Sequence, residues 1–245
     1  MKFALITDIH GNAPALKEVL KKIDDRKDVD HIYCTGDIIA IGTDTNEVLE
    51  MFFDRSDVSM ITGNHDEAVL ALLKGEPYPK SHAASRKHHE WIASRMERSF
   101  IQKMSELPRT MEVTSCGKKI LFTHYHMDDK KKDFHISKDP FSSIVSEKDD
   151  SIMRLFDGCP QDLICFGHHH PVHCVKNEAT IFLNPGALGC HDKPTARYAV
   201  VGLNQGEIKI ELNEVEYDNR AFLESYDTLQ VPEGAFLRQV FHGGQ

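Results

Sequence analysis

Seven residues whose side chains can ligate a metal sit in the same kind of place in this chain. Asp8 and His10 follow the apolar run KFALIT, Asp37 follows HIYCTG, and Asn64 follows VSMITG. His124 follows KKILFT, and His168 and His170 follow LICFG. The set offers carboxylate, amide oxygen and imidazole, with no thiolate. Such donors suit Mn, Fe, Zn or Co in open sites better than a structural zinc, which prefers closed, cysteine-rich tetrahedra. Seven donors are too many for one ion. With Asp37 shared, they supply four groups to each of two. Two ions held ~3.5–4 Å apart can clamp an in-line displacement at phosphorus and generate a hydroxide nucleophile.

The elements that must position these residues follow from the same runs. Short segments rich in Ile, Leu, Val, Phe and Tyr read as buried strands. In an α/β sheet, residues just past the carboxyl ends of the strands gather along one edge, where such folds bind ligands. In the first half, strands near 30–34 and 58–62 alternate with helical spacing over 13–24, 45–54 and 66–74. Residues 82–105 read as one or two further helices. The second half changes to strands near 110–115, 119–123, 162–166, 172–176, 179–183, 196–203 and 206–213, interrupted by one helix at 148–156. This order predicts an α/β fold of two packed mixed β-sheets flanked by helices, an α/β/β/α sandwich. It forms a single domain over 1–245, with its core in 1–213 and a weakly patterned, peripheral tail at 214–245. The segment 125–147, which carries Lys130, Lys131 and Lys132, lacks clear periodicity and is a candidate substrate-facing loop.

Composition narrows the partners. A net charge of −9 argues against a general nucleic-acid binder, which would show a basic footprint. A phosphate substrate would be repelled by the protein as a whole, so bound cations must supply the local attraction. No apolar stretch approaches the ~18–20 residues that span a bilayer, so no membrane partner is expected. The chain enters its first strand at once, leaving no room for a signal peptide. The six cysteines form no C-x-x-C pair, and Cys34 and Cys165 lie within apolar runs as small buried thiols. A reducing, cytoplasmic setting fits. The oligomeric state is not legible.

Asp8-x-His10, Gly36-Asp37, Gly63-Asn64-His65-Asp66, the lone His124 and Gly167-His168-x-His170 resemble, in order, the five signature blocks of the calcineurin-like metallophosphoesterases. The stretch Gly36–Glu47 and the turn Asn184-Pro185-Gly186-Ala187-Leu188-Gly189 are similar to the bacterial single-domain branch of that superfamily. The resemblance implies a dinuclear metal-dependent phosphoesterase that hydrolyses phosphate mono- or diesters, nucleotides or dinucleoside polyphosphates among them, through a metal-bridging hydroxide. It implies two divalent ions, manganese first, with Fe, Zn, Co or Ni as alternatives. One ion would take Asp8, His10, Asp37 and His170, and the other Asp37, Asn64, His124 and His168. Asn64 and His65 would face the substrate phosphate. His65 would protonate the leaving group or stabilise the transition state, with Asp66 orienting it through its ring nitrogen. The chain departs from the family pattern at Tyr125-His126, at His169 and at Cys190-His191-Asp192-Lys193, which replaces a Pro-Arg pair common in this branch, so that a phosphate-binding arginine is either missing or supplied elsewhere. These departures bear on substrate rather than on the ligand set.

Several residues carry plainer readings. Asn64 and Asp66 suit the cap of the helix that follows them. Alternation along an extended segment turns His169 away from His168 and His170, making it a non-ligand. His126, His135, His173 and His191 read as surface or rim residues, and Tyr125 with His126 as a bulky rim. His82, His88 and His89 read as a solvated helix face, and Trp91 as core. The alternative function is a non-catalytic metal-binding scaffold of the same fold, acting through protein contacts. His65, beside a full ligand set, favours the enzyme.

Overall fold

Three short parallel strands carry the first ligand blocks. They are β1 (Lys2–Ile6), β2 (His31–Cys34) and β3 (Val58–Met60), and β9 (Thr195–Asn204) and β10 (Glu207–Glu216) extend their sheet antiparallel from the free side of β1. The strand order is β10-β9-β1-β2-β3. A second sheet contains β4 (Thr110–Ser115), β5 (Lys118–Thr123), β6 (Leu163–Cys165), β7 (His173–Lys176) and β8 (Ile181–Asn184), in the order β4-β5-β6-β8-β7. In this sheet β5, β6 and β8 run parallel, while the outer pairs β4–β5 and β7–β8 are antiparallel. The computed structural model describes residues 1–245, apart from the side chain of Asp149.

The alternation of each strand decides which layer its side chains enter. Phe3, Leu5, Tyr33, Ala199 and Val201 face Ile120, Phe122, Leu163, Cys165 and Leu183 between the sheets. The opposite face of the first sheet, with Ala4, Ile6, Ile32 and Cys34, is covered by α1 (Ala13–Asp25), α2 (Thr45–Phe53), α3 (Asn64–Lys74), α4 (Arg86–Arg95) and α5 (Arg98–Ser105). The outer face of the second sheet, with Ile164 and Phe182, packs on Ile152 of α6 (Asp149–Leu155) and on Phe156. Each fully buried Val, Leu, Ile or Phe among these contributes about 1.5–3 kcal/mol. The predicted α/β/β/α sandwich is the fold observed.

Helix α1 shows how the chain leaves the ligand-bearing edge. Asn12 caps it by accepting from the Ala15 N–H at 3.1 Å, and Pro14 fits the first turn, where no N–H is needed. Ala15, Leu16, Val19, Leu20 and Ile23 then form its buried stripe. The stretch 82–105 becomes a 3₁₀ turn (Lys80–Ser85) followed by α4 and α5, parted at Met96 and Glu97 by extended backbone.

The tail is not peripheral. Strand β10 runs to Glu216, and α7 (Arg220–Thr228) and α8 (Gly234–Phe241) follow it. Phe222, Tyr226, Val231 and Leu237 are buried against Ile41, Ala187 and Cys190, which belong to loops beside the ligand-bearing edge. Two short helices give too few apolar repeats for the period to stand out, yet enough to seal a cluster.

Candidate metal centre

The carboxyl ends of β1, β2, β3, β5 and β6 bring all seven predicted donors to one edge, and their loops lock one another. The Asp8 N–H donates to the Gly36 carbonyl at 3.0 Å, His10 N–H to Asp37 at 2.9 Å, and Gly167 N–H to His124 at 2.8 Å. Four of the seven have left-handed backbone: Asp8 (φ 51°), His10 (φ 49°), Asp37 (φ 50°) and His168 (φ 66°). Non-glycine residues rarely adopt this region, and such strain concentrates where surrounding structure enforces a functional geometry. Gly63 and Gly167 allow the close approach. A Cβ on Gly63 would run into the Asp37 carboxylate, and one on Gly167 into Thr7 and Asp8.

The donor atoms fall into two adjoining groups, Asp8–His10–His170 and Asp37–His124–His168, each with its ligand atoms within 4.8 Å of one another. His10 Nε2 lies 3.2 Å from His170 Nε2 and 3.8 Å from oxygens of both Asp8 and Asp37. His124 Nε2 lies 3.2 Å from Asp37 Oδ2 and 2.9 Å from Asn64 Oδ1. Asp37 therefore borders both groups. His124 Nδ1 donates to the Thr35 carbonyl at 2.8 Å, which turns Nε2 inward. This is the usual support for a metal-binding imidazole. Nitrogen and oxygen lone pairs converging in this way repel one another unless a proton or a cation sits between them, so the donor set fits divalent ions.

The electrostatics agree. Burial pushes the Asp8 carboxyl up to about 7, with the neighbouring Asp37 charge adding to the rise. Burial also opposes charge on Asp37, but the facing His124, His65 and His10 overcome it and hold the carboxyl well below its usual range. His124 is likewise opposed by burial, and the Asp37 carboxylate raises it to about 9, so a proton here stands where a cation would. Burial lowers His10 to about 4 and His168 to about 3, and pushes His170 well down. Those three rings are neutral at pH 7, the form that binds metal.

His65 and Asp66 depart from expectation in an informative way. Asp66 does not orient the His65 ring. Its oxygens accept instead from the backbone N–H groups of Ile38 and Ile39 at 3.0 Å and of Gly63 at 2.9 Å. At the third position of α3 a carboxylate reaches back to the helix entry, and this capping interaction wins. The His65 N–H donates to Asp37 Oδ1 at 2.9 Å, and its ring meets His89 instead, Nδ1 to Nε2 at 2.8 Å. His82 contacts Asn64, and both His88 and His89 are fully buried, so the expected solvated face of α4 turns toward the site.

Other departures follow the same logic. Tyr125 is a buried core residue, not a rim, with its ring 4.8 Å from that of His168. His169 stands apart from both donor groups, as expected, with Nδ1 2.9 Å from Nε2 of His173. His173 is buried rather than at the surface. A groove of about 820 Å³ beside Tyr125, His126 and Lys132 contains none of the metal donors. From the tail, Phe241 lies 5.7 Å from the His170 ring and 6.1 Å from that of His10. Sequence reasoning missed Tyr78, Ser81 and Phe241. The only signal for the first two was their place beside a histidine-rich helix.

Comparison with known proteins bears on this geometry. Residues 1–206 match the calcineurin-like phosphoesterase superfamily domain. The chain belongs to this family. An uncharacterized protein of Methanocaldococcus jannaschii is 27% identical to this family member, over 94% of this chain and 93% of that protein. A metallophosphoesterase structure from Sphaerobacter thermophilus shares the fold, with a TM-score of 0.66 and 21% identity over 95% of this chain and 96% of that one. The symmetrical bis(5'-nucleosyl)-tetraphosphatase of Sodalis glossinidius is 40% identical over 76 residues. That match spans 31% of this chain and 27% of the Sodalis enzyme. Among the described residues no helix is long and apolar enough to cross a membrane.

Proposed function

We propose that this phosphoesterase is a dinuclear enzyme that hydrolyses phosphate mono- or diesters of small molecules, with nucleotides and dinucleoside polyphosphates as the first substrates to test. The supporting observation is the Asp37 carboxylate standing between two groups of inward-facing lone pairs. Asp8, His10, Asp37 and His170 would hold one ion, and Asp37, Asn64, His124 and His168 the other. When bound, the ions supply Lewis acidity toward a phosphoryl oxygen and a water of lowered pKa.

The chain's own groups do the rest. Asn64 and His65 open helix α3, so a phosphate that meets them also meets the positive end of the helix dipole. His65 presents Nε2, the ring atom left free by His89; this nitrogen is bare in the neutral ring, so it takes up a proton from solvent when the anionic substrate arrives and hands that proton to the leaving oxygen. The positive charge of two bound dications, together with the N-terminus of α3, would offset the acidic surface where an anion must approach. The partial likeness to a tetraphosphatase is why dinucleoside polyphosphates belong in the test. The assay is hydrolysis of p-nitrophenyl phosphate, its bis ester, nucleotides and diadenosine tetraphosphate with Mn²⁺, with EDTA as control. Turnover that EDTA leaves intact would refute the reading. So would inertness toward every ester in a protein that binds two ions, which would favour the scaffold.

A further inference from the structure

Two chains of hydrogen bonds run from the segment 78–89 into Asn64 and His65, and neither belongs to the metal donors. We propose that Tyr78, His82 and His89 are positioning residues that fix the Asn64 amide and the His65 ring, with Asp139 and the His82 carbonyl setting the direction of every proton. The kinetic part of this inference rests on the phosphoesterase reading above; the tautomers do not.

The first chain begins at Asp139, which can only accept. Ser81 Oγ therefore donates its single proton to Asp139 Oδ1. The Ser81 oxygen must then accept from His82 Nδ1, 2.7 Å away. Neutral His82 is thus left with a bare Nε2, which lies 2.7 Å from Asn64 Nδ2. Only an amide N–H can face it, so Asn64 Oδ1 points the other way, toward His124 Nε2 at 2.9 Å and the metal donors. Reversing the amide would reverse each link and leave Ser81 opposing Asp139 with two acceptors.

The second chain begins at the carbonyl of His82, also an acceptor only. Tyr78 donates its hydroxyl proton there at 3.1 Å. His89 Nδ1, 2.8 Å from the tyrosine oxygen, must then be the donor. That leaves His89 Nε2 bare to accept from His65 Nδ1–H at 2.8 Å. A His65 ring that gives up a proton from Nε2 becomes the Nδ1–H tautomer, the one this chain selects. The network therefore makes Nε2 the position that exchanges protons with substrate and keeps Nδ1 occupied. Among the described residues the His65 ring pairs with no carboxylate, and His89, which is fully buried, takes that place.

The first test uses metal-free protein with ¹⁵N-labelled histidine. Expected are neutral His65, His82 and His89, each with its proton on Nδ1, and loss of the single His65 tautomer in Tyr78→Phe. A proton on Nε2 of His65 or His82 in the parent protein overturns the proposal, as does a Tyr78→Phe spectrum unchanged at His65. The second test is Mn²⁺ titration of Ser81→Ala, an exposed position. One of the two ions should weaken by about 10–100-fold, the usual cost of losing an outer partner, while the other is unaffected. Unchanged binding of both overturns the first chain. The third test compares leaving groups. His89→Leu should lose turnover on alkyl phosphates far more than on nitrophenyl phosphate, and His89→Gln, whose amide oxygen can accept from His65, should recover most of it. Equal losses on both esters, or no recovery, overturn the second chain. Should the parent protein hydrolyse nothing, the functional reading fails while the tautomer and titration results still stand or fall separately.

Discussion

The ring of Phe241, four residues from the end of the sequence, lies 5.7 Å from that of His170, 71 positions earlier. The last helix thus walls one flank of the Asp8–His10–His170 group. Phe241→Ala should remove part of that wall without touching a donor. Expected is a loss of about 1–2 kcal/mol, in line with a half-buried aromatic, with two bound ions retained. Urea denaturation and elemental analysis measure the two quantities. Loss of an ion in the folded variant would instead show that the wall shapes the donors.

Asp37 borders both donor groups, so its neutralisation should damage both. Asp37→Asn is expected to reduce bound Mn²⁺ below one ion per chain and to abolish turnover. His170→Ala, which touches one group only, should retain one ion. Elemental analysis after gel filtration distinguishes them. A full pair of ions in Asp37→Asn would dispose of the dinuclear arrangement.

His65→Ala should reveal what the ring does. A general acid contributes about 10²–10⁴-fold to substrates with poor leaving groups and little to nitrophenyl esters. The variant should therefore keep both ions and much of its nitrophenyl phosphatase activity, and lose most activity on nucleoside monophosphates. A uniform loss would assign the ring to phosphate binding.

Acid should weaken the fold through histidines that hold no metal. Burial lowers His88 and His242 to about 4 from the ordinary 6.5. Among the described residues neither nitrogen of His88 has a hydrogen-bond partner, so no hydrogen bond there offsets the cost of burying its charged form. Between about 6.5 and 4 the unfolded chain takes up protons that the native rings refuse. Stability is therefore full above about 6.5 and declines as the pH falls toward 4. His88→Leu should flatten part of that decline. Urea midpoints from pH 7 to 4.5, compared with the parent protein under the same metal conditions, provide the check, and parallel curves would contradict it.

The placement of the seven candidate donors along one edge is legible because each position depends on one strong local rule. A short apolar run makes a strand, and the residue after it lands on the sheet edge whatever the rest of the chain does. The fold class followed from the order of those runs. The failures came where two local rules competed or where a polar side chain was buried. Asp66 could serve a histidine ring or cap α3, and only the backbone conformation at Gly63 decides for the cap. His82 and His89 look like solvent-facing residues on a helix because hydropathy counts imidazole as polar. The half-buried His82 meets Asn64 and the buried His89 meets His65, partners distant in sequence. Tyr125 reads as a rim residue from its place beside a ligand, yet its ring enters the outer core with Phe156 and Phe166.

Each donor group draws on both sheets: Asp8 and His10 with His170 in one, Asp37 and Asn64 with His124 and His168 in the other. A bound ion would therefore rivet the two halves of the sandwich at their common rim, joining residues up to 162 positions apart, as Asp8 and His170 are. Such a rivet resembles a disulfide that a chelator can open, since ligand binding to the native state alone raises stability with the logarithm of free ligand. EDTA should then lower the melting temperature as well as silence the enzyme. The first region to exchange its amide hydrogens should be the rim, where left-handed Asp8, His10, Asp37 and His168 would be released from the cations that fasten them.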